Sequence, residues 1–327
     1  MNTLIETFGT LVGRAAAKSP DRARWLLEAA FYASNFQAKH FPSRKLTTAR
    51  AFISPVCMDA VLHPLAHPER SAIVNLFLPC EILHAMRIEP QIAEGLSCYF
   101  SGAGSEQYFI EYARQEGVPD TLCSYHKILT GIALSGVLPK PRLIANTTLA
   151  CDANTNTFRR IATHYGVPHF TVDTPCADDA DAVQYVADQL RELARFSEEA
   201  MHERFSEDAL RAVLACEQRS MQACRNYYDL LPDRYLPNEM TSEMYTLFAT
   251  HILLGKPEIE QYFEQLCEDA KNAPIFQGGN RILWVHSLPY WQNSLRTILN
   301  FSEENQLLCS DTVSYTHLRA HETTLHL

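Results

Sequence analysis

Residues 122–154, LCSYHKILTGIALSGVLPKPRLIANTTLACDAN, place a cysteine at the start of each of two predicted helices. Cys123 precedes the helical apolar spacing of residues 128–137, and Cys151 follows the apolar, β-type run of residues 142–149. The N-terminus of a helix carries partial positive charge and free N–H groups, so a sulfur held there is favoured as the thiolate, the form that binds metals. We therefore expect both cysteines at a metal ion or an iron–sulfur cluster.

The boundaries of these elements are marked in the sequence. Gly136 ends the first helix, and Asp152 or Asn154 caps the second, which ends at Gly166. In an open parallel sheet the carboxyl ends of the strands line the ligand crevice. Because Cys151 follows the end of a strand, we expect it to lie in a cleft.

Alternating strand and helix signals predict an α/β fold. AIVNLFL (72–78), IAEGLSCYF (92–100) and HFTVD (169–173) are strand-like runs separated by helical segments, and the strand before Cys151 adds a fourth. This alternation predicts a parallel, Rossmann-like or flavodoxin-like sheet of about four or five strands.

Composition shifts along the chain predict its domain organisation. We expect N-terminal helices over 1–50 and a first α/β domain with the two cysteines over 51–175. A helical block over 176–275 follows, and a second α/β domain begins at 276–311. Residues 312–327 contain VSYTHLRAHET, which looks like a translated sequencing adaptor, so we expect the natural protein to continue beyond this point.

Composition also excludes several classes of protein. The chain has 327 residues, of which 46% are hydrophobic, and a net charge of −10. This is enough apolar material for a core, and the acidic balance argues against a nucleic-acid surface. No apolar run reaches the length of a membrane span, and ten irregularly spaced cysteines without a C-x-x-C pair fit neither a zinc ribbon nor a disulfide scaffold. We expect a cytoplasmic protein with reduced thiols.

Other polar residues have ordinary alternatives. His126 permits a zinc site of the Cys-x-x-His…Cys kind, although a fourth ligand at diagnostic spacing is missing. Lys127 is expected to be solvated, and Glu81 to complement a helix dipole. The remaining cysteines in and beside helical or apolar runs are expected to be structural: Cys80, Cys98, Cys176, Cys216, Cys224 and Cys267.

Several segments together resemble the 2-hydroxyacyl-CoA dehydratase D-component family, whose relatives include the benzoyl-CoA reductase subunits. The resemblance rests on TLCSYHK, the LPKP turn and TTLACDAN, with support from LPCEILHAMRIEP and RILWVHSLPYW, and covers roughly residues 70 to 310. Ser124 departs from the pattern, since many members have Pro after the first cysteine.

The resemblance implies a subunit of an oxygen-sensitive, anaerobic lyase. Such an enzyme removes water from a 2-hydroxyacyl-CoA through a ketyl radical to give a 2-enoyl-CoA. It implies a [4Fe-4S] cluster with Cys123 and Cys151 as two of three ligands, the third lying beyond this chain. It also implies a heterodimer with a second D-component subunit, and an ATP-dependent iron–sulfur activator protein. If both cysteines are ligands, their sulfurs should point into one shared cavity at the carboxyl edge of the sheet.

Two alternatives stay open. One is a benzoyl-CoA-reductase-like acyl-CoA reductase subunit. The other is a non-catalytic or zinc-binding relative.

Overall fold

A computed structural model describes residues 3–149, 151–177, 179–285, 289 and 292–310. The chain forms two compact units. The first comprises the described residues of Met1–Ala33 and Ala60–Ala209, and the second those of Ser34–Asp59 and Leu210–Leu327. Residues 312–327, predicted to be an adaptor, lie outside the described residues.

The first unit is built on a four-stranded parallel sheet. Its strands are β1 (Ser71–Val74), β2 (Glu89–Ile92), β3 (Leu143–Thr147) and β4 (His169–Val172), in the order β2-β1-β3-β4. All three strand pairs are parallel. Every residue of β1 and β3 is buried, as expected for central strands covered by helices on both faces. The prediction of a mixed α/β fold with a parallel sheet is confirmed.

Helices precede and connect these strands. They are α1 (Thr3–Ala16), α2 (Pro20–His40), α3 (Thr48–Ala66), α4 (Glu81–Ala85), α5 (Ala93–Gly102), α6 (Glu106–Gln115), α7 (Ser124–Leu134), α8 (Ala153–Tyr165) and α9 (Ala180–Met201). The expected strand at 92–100 is wrong, because this run forms α5 and the strand β2 lies just before it. A short apolar run does not distinguish a buried strand from a buried helix by periodicity.

Close packing of α6 against α7 depends on one glycine. A Cβ atom at Gly131 would overlap the carbonyl oxygen of Phe109, so only glycine allows the two backbones to approach this closely. This contact helps to fix α7, the helix that follows Cys123.

The second unit is mainly helical. It contains most of α10 (Glu207–Leu230), then α11 (Met240–Thr250), α12 (Pro257–Asn272) and α13 (Asn293–Leu299). Two parallel strands, β5 (Asn280–Trp284) and β6 (Asn305–Ser310), flank α13. None of the described helices of the chain is both long and apolar enough to cross a membrane.

A buried charged network lies in the core of the second unit. Arg50 is 2% exposed and donates to the Tyr227 hydroxyl (3.1 Å) and the Pro237 carbonyl (2.9 Å). Its guanidinium lies 3.9 Å from a carboxylate oxygen of Glu243, which also accepts from Asn238 at 2.7 Å. Burial raises the pKa of Glu243, and the charge of Arg50 and the Asn238 hydrogen bond oppose that rise. The network joins α3, α10 and α11 through hydrogen bonds that offset the cost of desolvating the two charges.

Candidate functional site

The connection from β1 leads to β2 on one side of the sheet, and the later connections lead to β3 and β4 on the other side. The strand order therefore changes direction between β1 and β3, and the carboxyl ends of these two strands mark the switch point. Side chains join the two strand ends at this point. The Thr147 N–H donates to Asn75 Oδ1 (2.9 Å), and Asn75 Nδ2 donates to Thr147 Oγ1 (3.3 Å). Ligands of open α/β sheets bind at such switch points, so this edge is the place to look for a site.

Cys151 lies at this edge, between the end of β3 and the start of α8. Its carbonyl accepts the Asn154 N–H (3.1 Å), and its side chain is partly buried. Asp152 occupies the N-cap position of α8, but its side chain makes no capping hydrogen bond, so the predicted cap is not formed there. Gly166 ends the helix in the left-handed conformation (φ 60°), which glycine adopts without steric cost.

Cys123 is the N-cap residue of α7 and is exposed to solvent. Among the described residues no side chain caps the N–H groups at the start of α7 or of α8. The first turns of both helices therefore keep the partial positive charge that favours a nearby thiolate.

His126 brings the two cysteine-bearing segments together. It lies on the first turn of α7, is 8% exposed, and its Nε2 lies 3.4 Å from Cys151 Sγ. Burial lowers the pKa of His126. The Cys-x-x-His…Cys pattern allowed His126 and Cys151 to share one zinc site, but nothing in the sequence favoured a direct contact between residues 126 and 151.

Neighbouring residues fix the first turn of α7. Lys127, expected to be solvated, is instead 6% exposed, and its Nζ donates to the Asp120 carbonyl (2.9 Å). The Tyr125 carbonyl accepts from Ser97 Oγ (3.0 Å). Burial raises the pKa of the Tyr125 hydroxyl, and Cys98 adds to the rise. His126 thus lies between two residues with partly buried hydrogen bonds, which hold this turn of α7 in place.

Glu94 is a titratable group that sequence reasoning missed. It lies in the first turn of α5, directly after β2, and its Oε2 accepts the Leu76 N–H at 3.0 Å. The residue as a whole is only partly buried, but desolvation of its carboxyl group raises its pKa to about 7. The available signal was its position just after a strand in a βα connection, where polar groups reach the carboxyl edge of a sheet.

A basic groove of about 450 Å³ lies on the flank of the first unit, against α8 and the end of α7. Arg159 and Arg160 contribute its positive groups, and Glu116 and His164 also line it. Arg159 Nη2 donates to Asn156 Oδ1 (2.8 Å), and Arg160 donates to the Glu116 carbonyl. The groove offers positive charge to an anionic ligand, although both guanidinium groups already have protein partners.

Most other cysteines are core residues. Cys80 and Cys98 are buried, as predicted, and so are Cys57, Cys216, Cys224, Cys267 and Cys309. Burial raises the pKa of the Cys57 and Cys224 thiols, which disfavours the thiolate. Cys176 differs from the structural role expected for it, because it is exposed in the segment after β4. Cys123, Cys151 and Cys176 are thus the described cysteines outside the core.

The donor chemistry of Cys123 and Cys151 fits an iron–sulfur cluster, since both thiols lie outside the core at helix N-termini that favour negative charge. Within the described ranges, no group of three or more His, Cys, Asp or Glu side chains is arranged to hold a metal ion. Cys123 and Cys151 would supply two of the three ligands that the family resemblance implies, and their role as ligands stays a prediction.

A family model described as 2-hydroxyglutaryl-CoA dehydratase, D-component, matches residues 75–325. The match covers more than half of the chain and includes both cysteines. It also includes residues 313–323, for which an adaptor origin stays a prediction. No curated protein matches the chain. The extent of the family match shows that the chain belongs to the 2-hydroxyglutaryl-CoA dehydratase D-component family.

Proposed function

We propose that this protein is a subunit of an activator-dependent iron–sulfur 2-hydroxyacyl-CoA dehydratase, with Cys123 and Cys151 as cluster ligands. The observation that carries the proposal is the joining of the two segments at the sheet edge. His126, three residues after Cys123, contacts Cys151 Sγ at 3.4 Å.

Electrostatics distinguish this pair from the buried cysteines. Cys123 and Cys151 lie beside the starts of α7 and α8, where the N–H groups and the helix dipoles carry partial positive charge. Burial raises the pKa of the Cys57 and Cys224 thiols in the cores, which favours the neutral thiol there. The edge of the sheet therefore suits a cluster held by thiolates better than the core of either unit does.

The reaction converts a 2-hydroxyacyl-CoA into a 2-enoyl-CoA and water. Its difficulty is that the proton on the β-carbon is not acidic. One electron added to the thioester carbonyl gives a ketyl radical, which expels the 2-hydroxyl group, and loss of the β-proton and of the electron then gives the product. When bound, a cluster with one open iron supplies low-potential electron transfer and a position that can bind an oxygen atom of the substrate.

The chain's own contribution is positional and electrostatic. The starts of α7 and α8 place partial positive charge where negative charge collects during the reaction. The Asn75–Thr147 hydrogen bonds fix the two strand ends beneath this region, and the packing of α6 on α7 around Gly131 fixes the helix that follows Cys123. The proposal includes a flavodoxin-like first unit, because its strand order β2-β1-β3-β4 changes direction between β1 and β3.

The proposal includes three partners and one missing ligand. A second D-component subunit completes the heterodimer, an ATP-dependent iron–sulfur activator delivers the electron, and an acyl-CoA is the substrate. Cys123 and Cys151 leave one of the three implied cluster ligands unassigned.

The test is an anaerobic activity assay of the protein expressed from its complete coding sequence with its partner subunit and activator. We expect dehydration of a 2-hydroxyacyl-CoA that depends on ATP, and loss of this activity in Cys123→Ser and Cys151→Ser. The matched control is Cys176→Ser, which changes an exposed cysteine after β4 and should keep full activity. Full activity in either site variant would overturn the assignment, and turnover of an aromatic acyl-CoA alone would identify a reductase instead.

One observation favours a second candidate, a mononuclear metal site. A separation of 3.4 Å between His126 Nε2 and Cys151 Sγ is also close to the roughly 3.5 Å between two ligands of one tetrahedral zinc ion. The absence of a three-ligand group among the described side chains speaks against this candidate. Metal analysis separates the two, because zinc without sulfide would support the mononuclear site.

A further inference from the structure

The side chain of His126 has a defined place beside the sulfur of Cys151. Its Nε2 lies 3.4 Å from Cys151 Sγ, within hydrogen-bond range for sulfur, and its ring is 8% exposed. The hydrogen bonds of Tyr125 and Lys127 on either side hold the same turn of α7 in place. The contact therefore belongs to a restrained part of the first unit.

When Cys151 is a thiolate, as a cluster ligand is, the chemistry of the two atoms fixes the direction of the hydrogen bond. A thiolate has lone pairs and no proton, so it can only accept. A neutral imidazole carries its proton on either nitrogen, and only the Nε2–H form donates to Cys151 Sγ. The contact therefore selects the tautomer with the proton on Nε2.

Cluster geometry separates a hydrogen-bond donor from a ligand. Each iron of a [4Fe-4S] cluster has three sulfide ligands and one outer ligand. If Cys151 occupies the outer position of one iron, a nitrogen 3.4 Å from its sulfur has no position left on that iron. It can still donate a hydrogen bond to the ligating sulfur.

We propose that His126 is a positioning residue that donates its Nε2–H to the sulfur of Cys151 and raises the reduction potential of the bound cluster. The proposal rests on the proposed function, because it takes Cys151 as a ligand. A hydrogen bond to a ligating sulfur withdraws negative charge from it, which stabilises the reduced, more negative cluster. It also holds the Cys151 sulfur toward α7, the helix that begins after Cys123.

The experiment compares the wild type with His126→Phe, which keeps a ring but has no donor, and with His126→Gln, which keeps an N–H group. Iron content is measured first, and the midpoint potential is then measured by redox titration followed by electron paramagnetic resonance. We expect unchanged iron in all three proteins and a lower potential in His126→Phe. The shift should correspond to about a tenfold change in the reduction equilibrium, or about 59 mV for one electron. His126→Gln should recover part of the shift.

Two outcomes overturn this proposal without contradicting the proposed function. One is an unchanged potential in His126→Phe, and the other is loss of iron in either variant, which would make His126 a ligand. A wild type without iron or sulfide would instead defeat the proposed function. In that case this proposal fails with it, because it takes Cys151 as a cluster ligand.

Discussion

Replacing Glu94 with Gln will remove a pH dependence from the stability of the first unit. Burial raises the pKa of this carboxyl group from its ordinary value of 4.5 to about 7 in the folded protein. The folded state therefore prefers the protonated form. This contribution to stability is fully present below about pH 4.5 and is lost as the pH rises through 7.

The size of the effect follows from the two pKa values. Holding the ionised carboxylate in the fold above pH 8 costs about 3 kcal/mol relative to the unfolded chain. Gln has nearly the same shape and keeps an oxygen that can accept the Leu76 N–H, but it carries no charge. We expect Glu94→Gln to be more stable than the wild type by less than about 1 kcal/mol at pH 5 and by about 3 kcal/mol at pH 8.5.

The assay is urea unfolding of both proteins between pH 5 and 8.5, with hydrogen exchange of β1 and β3 reporting on the first unit. Burial lowers the pKa values of His126 and of the partly buried His169 in both proteins, so their effect on stability cancels in the difference. Glu116→Gln, at an exposed position, is the control and should show no such trend. A difference between Glu94→Gln and the wild type that stays below about 0.5 kcal/mol over the whole range would refute the reasoning.

Two further predictions concern packing and buried charge. Gly131→Ala should lower the free energy of unfolding by about 3 kcal/mol, because its Cβ would overlap the Phe109 carbonyl. Gly102→Ala has no neighbouring atom within 4 Å and should change that free energy by less than about 1 kcal/mol in the same denaturation experiment. Arg50→Met should destabilise the second unit by about 3–5 kcal/mol, because it leaves the Glu243 carboxylate buried without its partner. Adding Glu243→Gln should recover part of that loss in a double-mutant cycle, and equal losses in the single and double variants would contradict the pairing.

Local signals in the sequence were enough to predict where the cysteines lie. The helix starts after Cys123 and Cys151, the glycine that ends α8 and the apolar run of β3 depend on residues close together in the chain. Capping, left-handed glycine and continuous apolar runs are local effects, so they can be read without the fold. These local signals do not reach the role of the two cysteines as cluster ligands, which stays a prediction.

Features that depend on tertiary packing could not be predicted. The run at 92–100 is helical because it packs beneath α7, and its apolar residues alone also suit a strand. The contact between His126 and Cys151 joins residues 25 positions apart. Burial of Arg50 depends on partners far along the chain, whereas an isolated arginine in a sequence suggests an exposed position.

Iron and acid-labile sulfide in the protein purified without oxygen, from its complete coding sequence, test the central claim most directly. The account predicts both elements in similar amounts in the wild type and in Cys176→Ser, and their loss in Cys123→Ser and in Cys151→Ser. Wild-type amounts of iron and sulfide in either of the last two variants would contradict the assignment of these cysteines as cluster ligands.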